Sequence, residues 1–238
     1  MCLSISRRGL LGHAGAVMGL GILTAAGRSE AQPATPEAPK PGQTTALAVT
    51  AAGGTLVVNL PPPLPPLRFT GTRVVRVLDG GTDFVSLRVT DFHAEAAHPL
   101  FGKVTLRQPE VDPGPQSVLA LSPSRLGLIE TWHQHLRVTF ERCGDCPGPF
   151  RFQTLEPAEW TAELQQFPPS ALSTGRDGKS AGGAHYRMTR PIRLGRLSPA
   201  AVAHASCDQC ALQSPLPSGA SEYARIENLD FAQGRVPN

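Results

Sequence analysis

Aromatic side chains are scarce in this chain, with nine Phe, two Trp and two Tyr, or 5% of 238 residues. Such scarcity predicts no stacked platform for bases or sugars. Net charge is small as well: 22 Lys and Arg against 19 Asp and Glu leave a formal +3. Lysine is nearly missing, with Lys40, Lys103 and Lys179 alone, so arginine carries the positive charge. A balance this close to neutral predicts no nucleic-acid footprint and no adhesion to anionic membrane. The arginine excess reads as composition rather than as a binding patch. Nucleophile signatures are also missing, since no G-x-S-x-G, S-x-x-K or H-E-x-x-H occurs. Gly175, Gly178, Gly182 and Gly183, with Arg176, Asp177 and Lys179, lack phosphate-loop spacing and read as an exposed turn. The sequence alone therefore assigns no reaction and leaves open whether the chain is an enzyme.

What is present begins at Ser4-Ile5-Ser6-Arg7-Arg8-Gly9-Leu10-Leu11-Gly12. Paired arginines precede a stretch from Gly9 to Gly27 that is apolar but diluted by glycine and alanine. The segment resembles a twin-arginine export signal. Leu10 and Gly12 stand where that pattern usually has Phe and Lys. The resemblance implies a twin-arginine translocase and a signal peptidase as export partners, and a periplasmic or secreted destination. Ser29-Glu30-Ala31 offers small residues at both positions a signal peptidase reads, which places cleavage after Ala31. Cys2 leaves with the signal, and no membrane segment is expected after cleavage. The competing reading is an uncleaved anchor, weakened by the glycines.

Residues 32–43 carry Pro33, Pro36, Pro39 and Pro41 and read as an extended linker. Residues 44–238 then form one domain, long enough to bury its own core. Short β-branched runs broken by proline and glycine predict an all-β fold. The expected strands are Leu56–Leu60, Arg73–Leu78, Phe84–Phe92, Lys103–Arg107, Ser117–Leu121, Ile129–Arg142, Phe150–Gln153 and His185–Arg193. Their spacing favours a sandwich or a small barrel. One to three short helices are expected beside it, over Pro157–Phe167, Pro199–Ala205 and, as an amphipathic stretch, Glu222–Phe231.

Cys143-Gly144-Asp145-Cys146 and Cys207-Asp208-Gln209-Cys210 form two C-x-x-C pairs. The first sits at a predicted hairpin tip, the way zinc ribbons present thiolates, and the second would complete a tetrahedral S4 site for structural zinc. An oxidising destination instead favours two structural disulfides, with cross-pairing closing loops of about 60 residues. A redox role requires an exposed pair with a depressed pKa. In the first two readings the cluster is a staple, and no cofactor beyond structural zinc is expected.

Trp132-His133-Gln134-His135 puts two histidines on one strand face. That face runs Thr131, His133, His135, Arg137, Thr139 and Glu141; the other runs Trp132, Gln134, Leu136, Val138 and Phe140. Gly127, His133, His135, Glu141 and Gly148 are similar to a cupin first motif, with five residues between His135 and Glu141. The resemblance implies a divalent metal on His133, His135 and Glu141. Asp91, His93, Glu95 and His98 form a second polar cluster, suited to a metal or to a strand running out into a loop. The leading expectation is an exported, non-catalytic β-rich module, accessory, binding or structural, stapled by four cysteines. The alternative is a metal-dependent cupin-like enzyme.

Overall fold

The computed structural model describes residues 38–51, 53–111, 114–124, 126–174, 180–197 and 210–236, and period-two burial governs most of their strands. The expected signal, the first half of the linker, the expected helix Pro199–Ala205, Cys207 and the turn at 175–179 lie outside the described residues. No helix occurs among the described residues, and the fold is all-β.

Eight strands close a barrel: β1 (Thr44–Thr50), β3 (Thr70–Gly80), β4 (Phe84–His98), β6 (Ser117–Leu121), β7 (Leu128–Gln134), β10 (Ala158–Leu164), β13 (Ala184–Met188) and β16 (Phe231–Arg235). Their order round the ring is β4-β3-β1-β16-β13-β10-β7-β6, and β6 returns to β4 through Phe84–Leu87. Every pairing in the ring is antiparallel. β4 lets the sheet extend beyond the ring, because its 15 residues run roughly 50 Å at about 3.4 Å per residue. Its far half, His93–His98, pairs with β5 (Gly102–Arg107). From there a wing continues through β8 (Arg137–Cys143), β9 (Cys146–Thr154), β14 (Ile192–Arg196), β15 (Ala224–Glu227) and β2 (Thr55–Val57). A separate hairpin joins β11 (Leu172–Thr174) to β12 (Ser180–Gly182).

The chain passes repeatedly between barrel and wing, and those passages are where the strands depart from expectation. The expected run Ile129–Arg142 divides at His135-Leu136 into β7 in the barrel and β8 in the wing. Thr154 fastens that corner: its Oγ1 accepts from the Leu136 N–H at 3.2 Å, and its own N–H donates to the Leu136 carbonyl at 3.0 Å. The inward phase survives the break, with Trp132, Gln134, Leu136, Val138 and Phe140 all buried. The expected run His185–Arg193 divides likewise, at Thr189–Pro191, where proline has no N–H for a ladder.

Residues 157–167 are not a helix. Ala158, Trp160, Ala162 and Leu164 alternate into the core along β10, between β7 and β13. Alanine, glutamate and leucine favour helix, but two waiting strand edges outweigh that weak preference. The stretch 222–231 is not helical either: it supplies β15 and the start of β16, which pairs with β1. The last linker residues already belong to the fold, since the Gly42 N–H donates to the Val77 carbonyl at 2.8 Å.

Candidate functional site

The lumen of the barrel is filled by side chains. Trp132 and Trp160 face each other in register across β7 and β10 and stack with centroids 4.1 Å apart. Phe231 packs on both rings, and Phe92 on Trp132. The Trp160 indole donates to the Leu229 carbonyl at 2.7 Å, so its polar edge is satisfied.

A charged network runs beside this stack. Arg73 of β3 donates through Nη2 to Glu130 Oε1 of β7 at 2.7 Å and through Nη1 to Gln233 Oε1 of β16 at 3.1 Å. Its guanidinium carbon lies 4.3 Å from the Trp132 ring centroid. Tyr186 of β13 donates to Glu130 Oε2 at 2.6 Å. Burial and the Glu130 charge push the Tyr186 phenol well above its usual value, so it remains a donor. Neither Arg73 nor Glu130 is exposed at all. Sequence reading missed all four residues. The signal was there: Arg73 lies in phase with Val75 and Val77, Glu130 with Leu128 and Trp132, and Gln233 with Phe231.

The histidines face outward. His133 Nε2 lies 3.2 Å from Glu159 Oε2, and His135 Nδ1 lies 3.0 Å from Thr154 Oγ1. Glu141 is on the other side of the corner, where its Oε2 accepts from the Lys103 N–H at 2.7 Å. The carboxylate fills the space a side chain at Gly102 would need, and Gly102 has a positive φ of 65°. The three residues of the cupin-like motif thus have separate partners.

Glu141 instead shares a cleft of about 740 Å³ with Glu95, His98, Lys103 and Arg68. Glu95 Oε1 lies 3.1 Å from His93 Nε2, and Glu95 Oε2 lies 3.4 Å from Lys103 Nζ. His98 is buried, and its Nδ1 accepts from the N–H groups of Leu100 (3.2 Å) and Phe101 (3.4 Å). Burial holds the His98 imidazole below its usual pKa, offset in part by the Pro65 carbonyl. Among the described residues no three His, Cys, Asp or Glu side chains gather where one ion would touch them all.

Cys143 and Cys146 end β8 and begin β9, directly opposite each other across a two-residue turn in which Gly144 adopts φ +61°. Both are buried, and so is Cys210. The Cys143 and Cys210 thiols hydrogen-bond to each other. Burial, then that hydrogen bond, pushes the Cys210 thiol up to about 12. This is the reverse of what redox chemistry requires, because a protonated thiol is a poor nucleophile.

No family model matches the chain, and no curated protein matches it. Among solved structures, it is similar to DynF from the dynemicin biosynthesis pathway of Micromonospora chersina. The TM-score is 0.55 at 14% identity, over 88% of each chain. At that identity the likeness concerns the barrel fold and carries nothing about activity.

Proposed function

We propose that the chain is an exported, non-catalytic β-barrel module, periplasmic or secreted, which serves as an accessory, binding or structural component and is stapled by its cysteines. The observation that carries this reading is the filled lumen. A barrel enzyme working inside its ring needs open volume there. Here the inward positions of β7 hold Glu130, Trp132 and Gln134, while His133 faces out. The module therefore acts through its outer surface.

Arg7 and Arg8 support export by the twin-arginine route, with the translocase and signal peptidase as transient partners. The cysteine geometry supports a cross-paired staple. The Cys143 and Cys210 thiols are in contact, and Cys146 lies directly opposite Cys143 across the turn. We assign the pairs as Cys143 with Cys210 and Cys146 with Cys207. Each bond forms by loss of two protons and two electrons to a thiol oxidant of the oxidising compartment. Structural zinc on the four sulfurs is the competing occupant.

The test is to express the chain with its own N-terminus, purify it from the periplasm, and measure zinc, iron and free thiols after denaturation without reductant. The expected result is a chain beginning at Gln32, with neither metal nor free thiols. About one zinc per chain with four thiols would replace the disulfide staple with a metal site. Unchanged export of an Arg7→Lys/Arg8→Lys variant would remove the twin-arginine assignment.

A further inference from the structure

Alternation puts every second residue of a strand on one face, and register then decides which of them meet. On the wing, that rule assembles a patch of arginines. Arg107 of β5 lies directly opposite Arg137 of β8. Thr139 lies opposite Arg151 of β9, which sets Arg151 diagonally beside Arg137. Like charges directly opposite one another destabilise a sheet. Keeping such a pair breaks a local rule, and rule-breaking of that kind marks functional positions.

The three arginines line one cavity of about 320 Å³. Glu110 is the carboxylate in that lining, and it reaches Arg137 Nη1 at 3.3 Å from a side chain that is 87% exposed. An exposed pair of this kind neutralises little. Arg107 and Arg151 have no ion pair or side-chain hydrogen bond among the described residues. Two buried polar atoms of the lining also lack partners, Arg137 Nε and Gln108 Oε1. Gln108 Nε2 donates to the Val89 carbonyl at 3.0 Å, which fixes the amide and leaves its oxygen as the open acceptor.

We propose that this cavity binds phosphate or a phosphate monoester. Planar guanidiniums take oxyanions in paired hydrogen bonds, and Arg137 Nε supplies an unused donor. Gln108 Oε1 requires a hydrogen from the ligand. A phosphate monoester keeps one near neutral pH for part of the time, because its second pKa is about 6, and inorganic phosphate always retains at least one, whereas sulfate has none to give. The site thus prefers phosphate to sulfate. Free phosphate and phosphate on a larger carrier share this chemistry. The inference rests on the binding-module reading and gives it a ligand class, yet it requires neither export nor any particular state of the cysteines.

The test is calorimetric titration of the folded chain with inorganic phosphate, glycerol 1-phosphate and sulfate at low salt. It is repeated on the Arg107→Gln/Arg151→Gln variant and on Arg68→Gln, in the other cleft, as control. We expect both phosphates to bind, sulfate to bind more weakly, and added salt to weaken all three. The double variant should lose on the order of tenfold or more in phosphate affinity, with the control unchanged. Its melting temperature should hold or rise, because a like-charge pair is relieved, so the loss is not unfolding. Tighter binding of glycerol 1-phosphate assigns the ligand to a phosphorylated carrier; tighter inorganic phosphate assigns it to the free ion. Sulfate bound as tightly as phosphate, no heat with either phosphate, or undiminished affinity in the double variant overturns the proposal. None of these failures alters the thiol count or the site of signal cleavage.

Discussion

Arg73 and Glu130 form an ion pair at 2.7 Å inside the ring of strands, with neither side chain reaching solvent. The pair joins β3 to β7, which are not neighbours in the ring, and Tyr186 and Gln233 extend it to β13 and β16. It thereby ties opposite walls of the barrel together through the lumen.

Breaking this pair from one side should be costly. Glu130→Gln leaves the Arg73 charge buried without a counter-ion, and the expected loss is about 3–5 kcal/mol of unfolding free energy. Replacing both partners with apolar residues, as in Arg73→Met/Glu130→Leu, should cost less than either single change, because no charge is left behind. Urea denaturation of the three variants measures this. A single-variant loss under about 1 kcal/mol would show that the lumen admits water.

The staple predicts a redox-dependent stability. Cys210→Ser should lower the stability of the oxidised protein by about 2–5 kcal/mol. In the reduced protein the same change should matter far less, since no cross-link is then lost. In reduced protein at pH 8, Cys210 should also resist iodoacetamide until denaturant is added, because it is buried and its thiol is pushed up to about 12. Rapid alkylation of Cys210 in the native state would contradict the burial.

His98 gives the fold an acid-sensitive element. Burial holds the folded imidazole below its ordinary 6.5, so the unfolded chain takes up the proton first as pH falls. Its contribution is complete above about pH 6.5, shrinks as pH drops through that value, and levels off once the folded ring is protonated too. His98→Leu should flatten this part of the curve while retaining contact with Phe101, whose ring centroid lies 4.9 Å from that of His98. Denaturation midpoints at pH 7.5 and 5.5 test it. An equal pH slope in variant and parent would exclude His98 as the cause.

Glu222 works in the more acidic range. Burial pushes its carboxyl up, but Arg225 at 2.6 Å and Arg193 at 2.9 Å together outweigh burial and hold it below the usual 4.5. The contribution is therefore present above about pH 4.5 and is lost as pH falls through the folded value. Glu222→Gln should cost about 1.5–3 kcal/mol at pH 7, the range for hydrogen bonds to charged groups. The difference between parent and variant should vanish in strong acid, as read by urea midpoints across pH. A difference that persists there would mean Glu222 acts through packing instead.

Much of the fold was legible in local pattern. The strand Ser117–Leu121 has the expected bounds, and the inward set from Trp132 to Phe140 is the one that alternation predicts. Side-chain direction in a strand follows from the backbone alone, so no knowledge of neighbours is needed. The misses have a different origin. Residues 158–164 have helix-forming composition and became a strand because β7 and β13 offered edges on both sides. His133 and Glu141 share a phase in the sequence, yet the corner at His135-Leu136 sends one to the barrel and the other to the wing.

The arginines make the same point about the candidate sites. In the sequence Arg107, Arg137 and Arg151 look like composition; in the sheet they share a cavity. Arg73 and Glu130 are 57 residues apart, and nothing near either one announces the other. What the sequence by itself determined is the set of properties carried by neighbouring residues: strand phase, hairpin turns, the resemblance of the N-terminus to an export signal, and the spacing of the cysteines. Only the tertiary structure decided barrel closure, the split between barrel and wing, and which charges meet. Those depend on strand register across long separations, where a shift of one residue turns every side chain to the opposite face.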